Sequence, residues 1–206
     1  YRVGFNMILT KALIIFLKYP EKGKVKTRLA SSVGTKNAVK IYRQFVKITL
    51  DKVTKFKYIN KFIFYTPKGK KKLIARFLRN NFDYYLQRGK NLGERLYNAF
   101  SKINGLGYQQ MVIVGTDSPT LPSRFIYQAF SKLNNADFVL GPCKDGGYYL
   151  IGLKKPVKEL FEDIDWGTNK VFNQTLKKAK LLNLQIRVLP CWYDIDTIDD
   201  LKRLGD

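Results

Sequence analysis

The chain contains no histidine. That excludes Ser-His-Asp and Cys-His nucleophilic catalysis and every histidine-ligated zinc centre. Cysteine is nearly absent: Cys143 and Cys191 are the only two, too few for a disulfide framework and without metal-ligand spacing. They read as reduced thiols of a cytoplasmic protein. Any metal must therefore be held by oxygen ligands, which selects Mg²⁺ or Mn²⁺. No apolar run approaches the ~18 residues that cross a bilayer, so no membrane span is expected, and no secretory signal pattern is present. Acidic residues are scarce, 16 Asp and Glu against 38 Lys and Arg, for a formal charge of +22.

That charge attracts polyanions. The lysines are spread along the chain rather than gathered in one helix or tail, so phosphorylated small molecules are expected as partners ahead of nucleic acid. The 206 residues fit one domain with a sizeable core. Residues 1–10 read as a flexible or non-native N-terminal extension, because Met7 stands as an alternative start after Tyr1 to Asn6. The sequence does not set an oligomeric state.

Strand and helix patterns alternate. Strands are expected at 12–17, 62–65, 83–87, 110–114, 138–141, 148–153 and 186–189. Helices are expected at 35–56, 71–80, 92–103, 122–133, 157–162, 169–182 and 198–204. In the first helix Ala38, Ile41, Tyr42, Phe45 and Ile48 share one face. The order implies a mostly parallel sheet covered on both faces. The strands flanking Asp145-Gly146-Gly147 are too close for a helical crossover, which predicts an antiparallel pair and a mixed sheet.

Three segments carry candidate chemistry. Lys18-Tyr-Pro-Glu-Lys-Gly-Lys-Val-Lys-Thr-Arg-Leu29 follows the first strand, at the edge where open α/β sheets bind ligands, and supplies Lys18, Lys22, Lys24, Lys26 and Arg28. A solvated basic loop is the alternative. Gly115-Thr-Asp-Ser-Pro119 places Asp117 just past a buried strand, where it can hold a divalent cation or cap the turn. Tyr193-Asp-Ile-Asp-Thr-Ile-Asp-Asp200 gathers four acids: Asp199 and Asp200 suit a helix start, whereas Asp194 and Asp196 are better placed for a metal. Asp145, in a glycine turn, orients a substrate, ligates metal or simply makes a hairpin. Gln87-Arg-Gly89 with Leu92-Gly-Glu-Arg95 contacts a base or sugar, or forms a tight turn and an internal ion pair. Trp166 covers a substrate or fills the core.

In order along the chain, Lys-x-Pro-x-x-Gly-x-x-Lys-Thr-Arg-Leu (18–29), Leu-Gly-Glu-Arg (92–95), Gly-Thr-Asp-Ser-Pro (115–119), Gly-Pro-x-x-Asp-Gly-Gly-Tyr-Tyr-Leu-Ile-Gly (141–152), Trp-x-Thr (166–168) and Asp-Ile-Asp-Thr (194–197) resemble the bacterial glycosyltransferase-like family DUF2064. That family belongs to the nucleotide-diphospho-sugar transferase superfamily, with the GT-A fold. The resemblance implies a three-layer α/β/α sandwich that binds a nucleotide or nucleotide sugar plus a small-molecule acceptor, with Mg²⁺ or Mn²⁺. It implies phosphate binding by Lys18, Gly23, Lys26, Thr27 and Arg28; the loop reading adds Gln87 and Gly89 as candidate nucleotide contacts. It implies metal ligation by Asp117 and Asp196. In the mechanism expected from these residues Lys26, Arg28 and Asp117 are catalytic at the phosphates, and Asp145 is the candidate base if the acceptor is a hydroxyl. The sequence departs from the superfamily's nucleotidyltransferases at their opening Leu-Ala-Gly-Gly, where it has Phe16-Leu-Lys-Tyr-Pro20, and it lacks a clear Asp-x-Asp at the central strand. The expected function is a metal-dependent transferase, with nucleotidyl transfer to a phosphorylated small molecule slightly ahead of glycosyl transfer from a UDP- or GDP-sugar. A basic nucleic-acid-binding protein without catalysis is the third reading.

Overall fold

The computed structural model describes residues 10–79 and 82–203. Tyr1 to Asn6, Met7, Asn80 and Leu204, which enter the expectations above, lie outside the described residues. The strands are β1 (Lys11–Lys18), β2 (Asn60–Thr66), β3 (Asp83–Leu86), β4 (Gln110–Val114), β5 (Phe138–Pro142), β6 (Tyr148–Leu153) and β7 (Ile186–Val188). The helices are α1 (Thr27–Val53), α2 (Lys71–Leu78), α3 (Leu92–Asn104), α4 (Ser123–Lys132), α5 (Val171–Leu181) and α6 (Ile198–Lys202), with a 3₁₀ turn at Glu159–Phe161.

The strands form one seven-stranded sheet in the order β3-β2-β1-β4-β6-β5-β7. β1 and β4 are continuous apolar runs because both of their faces are covered. One layer packs α1, α2 and α4 through Val46, Leu50, Ile74 and Phe125. The opposite layer packs α3, α5 and the 3₁₀ turn through Leu96, Phe100, Phe161 and Ala179. The result is a three-layer α/β/α sandwich. β6 is antiparallel to both β4 and β5, whereas the other pairings are parallel. The mixed sheet expected around Asp145-Gly-Gly147 is therefore present. Because β6 runs backwards, its first residue, Tyr148, lies at the carboxyl edge of its neighbours.

Chain order reverses between β1 and β4. The carboxyl ends of these adjacent parallel strands open the crevice typical of such a switch point.

Several boundaries differ from the sequence reading. α1 begins at Thr27, so Thr27, Arg28 and Leu29 belong to a helix rather than a loop, and Gly34 (φ 79°) kinks it where the pattern was expected to begin. Its inner face is Ala38, Tyr42, Phe45, Val46, Thr49, Leu50 and Val53. Ile48 is exposed instead, because the apolar stripe drifts around the helix over its length. Pro122 caps α4 from outside it, and residues 157–162 hold only the 3₁₀ turn.

Candidate functional site

The first crossover turns sharply at Lys26. Its backbone is left-handed (φ 47°, ψ 49°) at the N-cap of α1, without side-chain capping. A long side chain seldom adopts this conformation, at a cost of about 1–2 kcal/mol, and such outliers gather at functional sites. The turn drives the side chain inward, where its side-chain exposure is only 2%. Lys26 Nζ lies 2.5 Å from Asp117 Oδ1 and 2.8 Å from Asp196 Oδ1. Burial alone would lower the lysine's pKa. The Asp117 and Asp196 carboxylates outweigh it and hold the ammonium above its ordinary value.

The two aspartates are 79 positions apart in sequence and are brought together by the backbone. Asp117 leaves β4 and accepts, through its carbonyl, the Ile195 N–H at 3.1 Å. That bond lays the 194–196 segment against the end of β4. Beyond it Thr197 caps α6 and Asp200 completes a capping box, so Asp200 serves the helix as its position predicts. Asp194 accepts a hydrogen bond from Ser118 Oγ. Burial pushes its carboxyl up to about 7; the Ser118 bond opposes that shift, and neighbouring Asp117 adds to it. Tyr42 reaches the crevice from α1, its hydroxyl 2.9 Å from Thr116 Oγ1 and accepting from the Lys18 N–H at 3.3 Å.

Three cavities meet at these acids. The first, about 310 Å³, is lined by Phe16, Gln87, Leu92, Arg95, Tyr148 and Asp117 among others. Its apolar side continues a row of rings across three strands, Phe16 stacking on Phe64 at 6.1 Å and Phe64 on Tyr85 at 5.2 Å. The second, about 290 Å³, carries the cations: Lys18, Lys24, Lys26 and Arg28 face Asp117 and Asp196. The third, about 450 Å³, is lined by Asp145, Tyr148, Trp166 and Asn169, together with Arg28, Asp194 and Asp196. Asp194 lines all three.

The structure therefore brings Lys18, Lys26, Thr27, Arg28, Gln87, Asp117, Asp145 and Asp196 to one crevice. Gln87 also donates its amide to the Phe64 carbonyl at 2.8 Å, which fixes its orientation. Gly23 and Gly89 do not line these cavities. Gly89 (φ 138°) packs so closely on α3 that a Cβ would lie 2.6 Å from Glu94 Cβ, and its carbonyl accepts from Arg95 Nε. Glu94 makes no ion pair with Arg95; it accepts from the Lys90 N–H while Asn91 caps the helix. Cys143 is buried and Cys191 exposed, both as thiols. Despite their spacing in sequence, Cys143, Asp145 and Asp194 offer ligand atoms within 4.8 Å of one another; burial, with Asp194 beside it, pushes the Cys143 thiol up to about 12.

Sequence reading missed Tyr42, which looks like any core residue of an amphipathic face. Asp194 was expected to face a metal beside Asp196, but the resemblance assigned ligation to Asp117 and Asp196 alone.

Among the described residues no helix is long and apolar enough to cross a membrane. No curated protein matches the chain. The crystal structure of a candidate nucleotide-diphospho-sugar transferase from Desulfovibrio desulfuricans G20 is 36% identical, covers 95% of this chain and 86% of its own, and superposes with a TM-score of 0.90. More distant structures share the fold. The inositol-1-phosphate CTP transferase of T. maritima is 18% identical, with 93% and 91% of the two chains covered and a TM-score of 0.59. Rv0371C of Mycobacterium tuberculosis H37Rv, solved in complex with manganese, is 15% identical, with 95% and 97% covered and a TM-score of 0.59. Residues 49–168 match the family described as "Uncharacterized protein conserved in bacteria (DUF2064)"; with that match and the 36% identical relative, the chain belongs to the DUF2064 family.

Proposed function

We propose that the protein is a divalent-metal-dependent transferase that uses a nucleoside triphosphate or nucleotide sugar, and that it transfers the nucleotidyl group to a phosphorylated small molecule. One observation carries the reading: Asp117 and Asp196 converge on a single buried cation, Lys26, at the switch point, beside a cavity with three more cations. The names of the related structures, a candidate nucleotide-diphospho-sugar transferase and a CTP transferase, support it.

The donor set fits an oxygen-ligated Mg²⁺ or Mn²⁺. Two carboxylate oxygens lie within 2.8 Å of one point that already holds a positive charge, and Asp194 lines the same cavity. Asp117 and Asp196 would hold the metal, which when bound supplies neutralising charge at phosphate oxygens. Lys26 then has a second task. Released from the carboxylates, its ammonium offers a cation to the nucleotide's phosphates, with Arg28 and Lys18 lining the same cavity. The 310 Å³ cavity takes the ring end of the nucleotide, between Phe16 and Leu92. A phosphate-monoester oxygen of the acceptor attacks the α-phosphorus, the bond to the β-phosphate oxygen breaks, and pyrophosphate leaves. The cations stabilise the charge that develops in line. A phosphate acceptor requires no general base, and the lack of histidine agrees with that.

Glycosyl transfer is the second reading, and one observation favours it: Asp145 lines the 450 Å³ cavity as an exposed carboxylate close to Asp194, placed to take a proton from an acceptor hydroxyl. The deciding experiment incubates the protein with Mn²⁺, a panel of sugar phosphates and, separately, each nucleoside triphosphate and each UDP- or GDP-sugar. Pyrophosphate release supports nucleotidyl transfer, and nucleoside diphosphate release supports glycosyl transfer. Neither release, together with no thermal stabilisation by any nucleotide, would refute both.

A further inference from the structure

The 450 Å³ cavity has walls that three glycines hold in place. A Cβ on Gly93 would lie 2.7 Å from Trp166 Cζ2, so α3 can sit against the indole only through a glycine. A Cβ on Gly146 would lie 2.1 Å from the Asn169 carbonyl oxygen, and the Gly146 carbonyl accepts the Phe172 N–H at 2.9 Å. Gly147 donates its N–H to Asp145 Oδ1 at 2.9 Å, which holds that carboxylate in place. The Leu-Gly-Glu-Arg, Asp-Gly-Gly and Trp-Gly-Thr segments are thus fitted to one another around this cavity. It touches the phosphate cavity at Arg28 and Asp196, and the ring cavity at Leu92 and Tyr148.

The lining has an unusual mix. Trp166 is half-buried, set edge-on to Tyr148 at 6.5 Å between ring centroids. Asp145, Asp194 and Asn169 offer hydrogen-bonding groups, and Arg28 is the sole cation of the lining. Among the described residues neither the Arg28 guanidinium nor the Asn169 amide makes a hydrogen bond or ion pair. A ring-shaped polyol has an apolar C–H face and a rim of hydroxyls. The indole takes the first, and the carboxylates and amide take the second. A guanidinium fork takes one phosphate or carboxylate. A cavity of this volume lies within the range of small-ligand sites.

Resting on the transferase reading, we propose that this cavity is the acceptor site and that it selects a sugar or cyclitol bearing one anionic group, with Trp166 as its platform. The position of Arg28, lining both this cavity and the phosphate cavity, places the acceptor's anionic group toward the nucleotide's phosphates.

The chain has two tryptophans, so Trp192→Phe leaves Trp166 as the sole indole reporter. Its emission is followed while hexose, pentose and cyclitol monophosphates, the matching unphosphorylated compounds and inorganic phosphate are titrated in. The titrations are run with Mn²⁺ and the uncleavable α,β-methylene analogue of whichever nucleotide stabilises the protein most. At least one sugar or cyclitol phosphate is expected to bind about tenfold or more tightly than both its unphosphorylated parent and inorganic phosphate. In the Trp192-containing protein, followed by saturation-transfer NMR, Trp166→Ala should weaken that binding about tenfold, while Trp166→Phe retains most of it. The nucleotide-induced thermal shift should persist in both variants. Should Trp166→Ala not fold, Asn169→Ala, at an exposed position, carries the same expected loss. Inorganic phosphate binding as tightly as every sugar phosphate, or an unchanged affinity in Trp166→Ala, overturns the assignment. Nucleotide binding without any sugar-phosphate binding removes this assignment alone, whereas no nucleotide binding removes the transferase reading and this assignment with it.

Discussion

Replacing Lys26 by Met tests the centre of the site, because the lysine stands where the metal is proposed to bind. Its ammonium meets Asp117 at 2.5 Å and Asp196 at 2.8 Å, with side-chain exposures of 2% for the lysine and 48% and 37% for the acids. Removing one partner of a fully buried ion pair costs about 3–5 kcal/mol. Here the carboxylates keep part of their hydration, and methionine also removes the cost of burying an ammonium, so a loss of about 2 kcal/mol is expected. At roughly 2–4 °C per kcal/mol for a chain of this size, that is a fall in Tm of about 4–8 °C. Mn²⁺ should then act differently on the two proteins. In the wild type it must displace the ammonium, so without nucleotide it stabilises weakly. In Lys26→Met it meets two carboxylates with no competing cation, and at about a hundredfold over its Kd it contributes about 2.7 kcal/mol, enough to recover the loss. Thermal melts with and without Mn²⁺, and direct Mn²⁺ titration by electron paramagnetic resonance, read both effects. An unchanged Tm in the variant, or equal Mn²⁺ shifts in the two proteins, would refute the shared-site argument.

Asp117→Asn and Asp196→Asn should each remain folded and lose most of the Mn²⁺-dependent part of any nucleotide-induced thermal shift; a full shift in either would exclude that residue as a ligand. For Asp194, whose folded carboxyl is raised to about 7 from an ordinary 3.8, the unfolded chain loses its proton first, so stability falls as pH rises between those values and the whole cost is felt above 7. Asp194→Asn should therefore gain Tm over the wild type progressively from pH 4 to 8, and a difference that does not change with pH would show that the carboxyl is not raised. Gly146→Ala, with φ +87° and a Cβ 2.1 Å from the Asn169 carbonyl oxygen, should cost about 3 kcal/mol or more in a urea melt. Gly23→Ala, at φ +68° with open space around it, should cost only about 1 kcal/mol. Equal costs would mean that the hairpin and the 166–169 loop do not bear on each other.

What the sequence made legible follows from where each signal is local. β1, β4 and β6 sit in the buried middle of the sheet, so their residues form unbroken apolar runs that need no partner to be recognised. The start of α1 was not legible, because Gly34 and the uncapped Lys26 both suggest a boundary, and tertiary packing of Leu29 carries the helix through. The start of α6 was readable because the capping box of Thr197 and Asp200 is a local, four-residue pattern. Asp117 and Asp196 were readable as separate candidates, but their meeting was not: it depends on the backbone bond from Ile195 to Asp117, across the whole second half of the fold. Lys26 was picked out of a run of cations by motif alone, since Lys22, Lys24 and Arg28 have the same local chemistry. What distinguishes it is the left-handed turn that points it inward, and no composition or periodicity encodes that. At Gly89 the sequence left a base or sugar contact and a tight turn open, and the close approach of its backbone is to Glu94 and Arg95, as in a tight turn. In this fold the glycines of the motifs mostly join protein to protein. The ligand-facing surface is made by the side chains that those joints hold still: Lys26 against two aspartates, and Trp166 against Gly93.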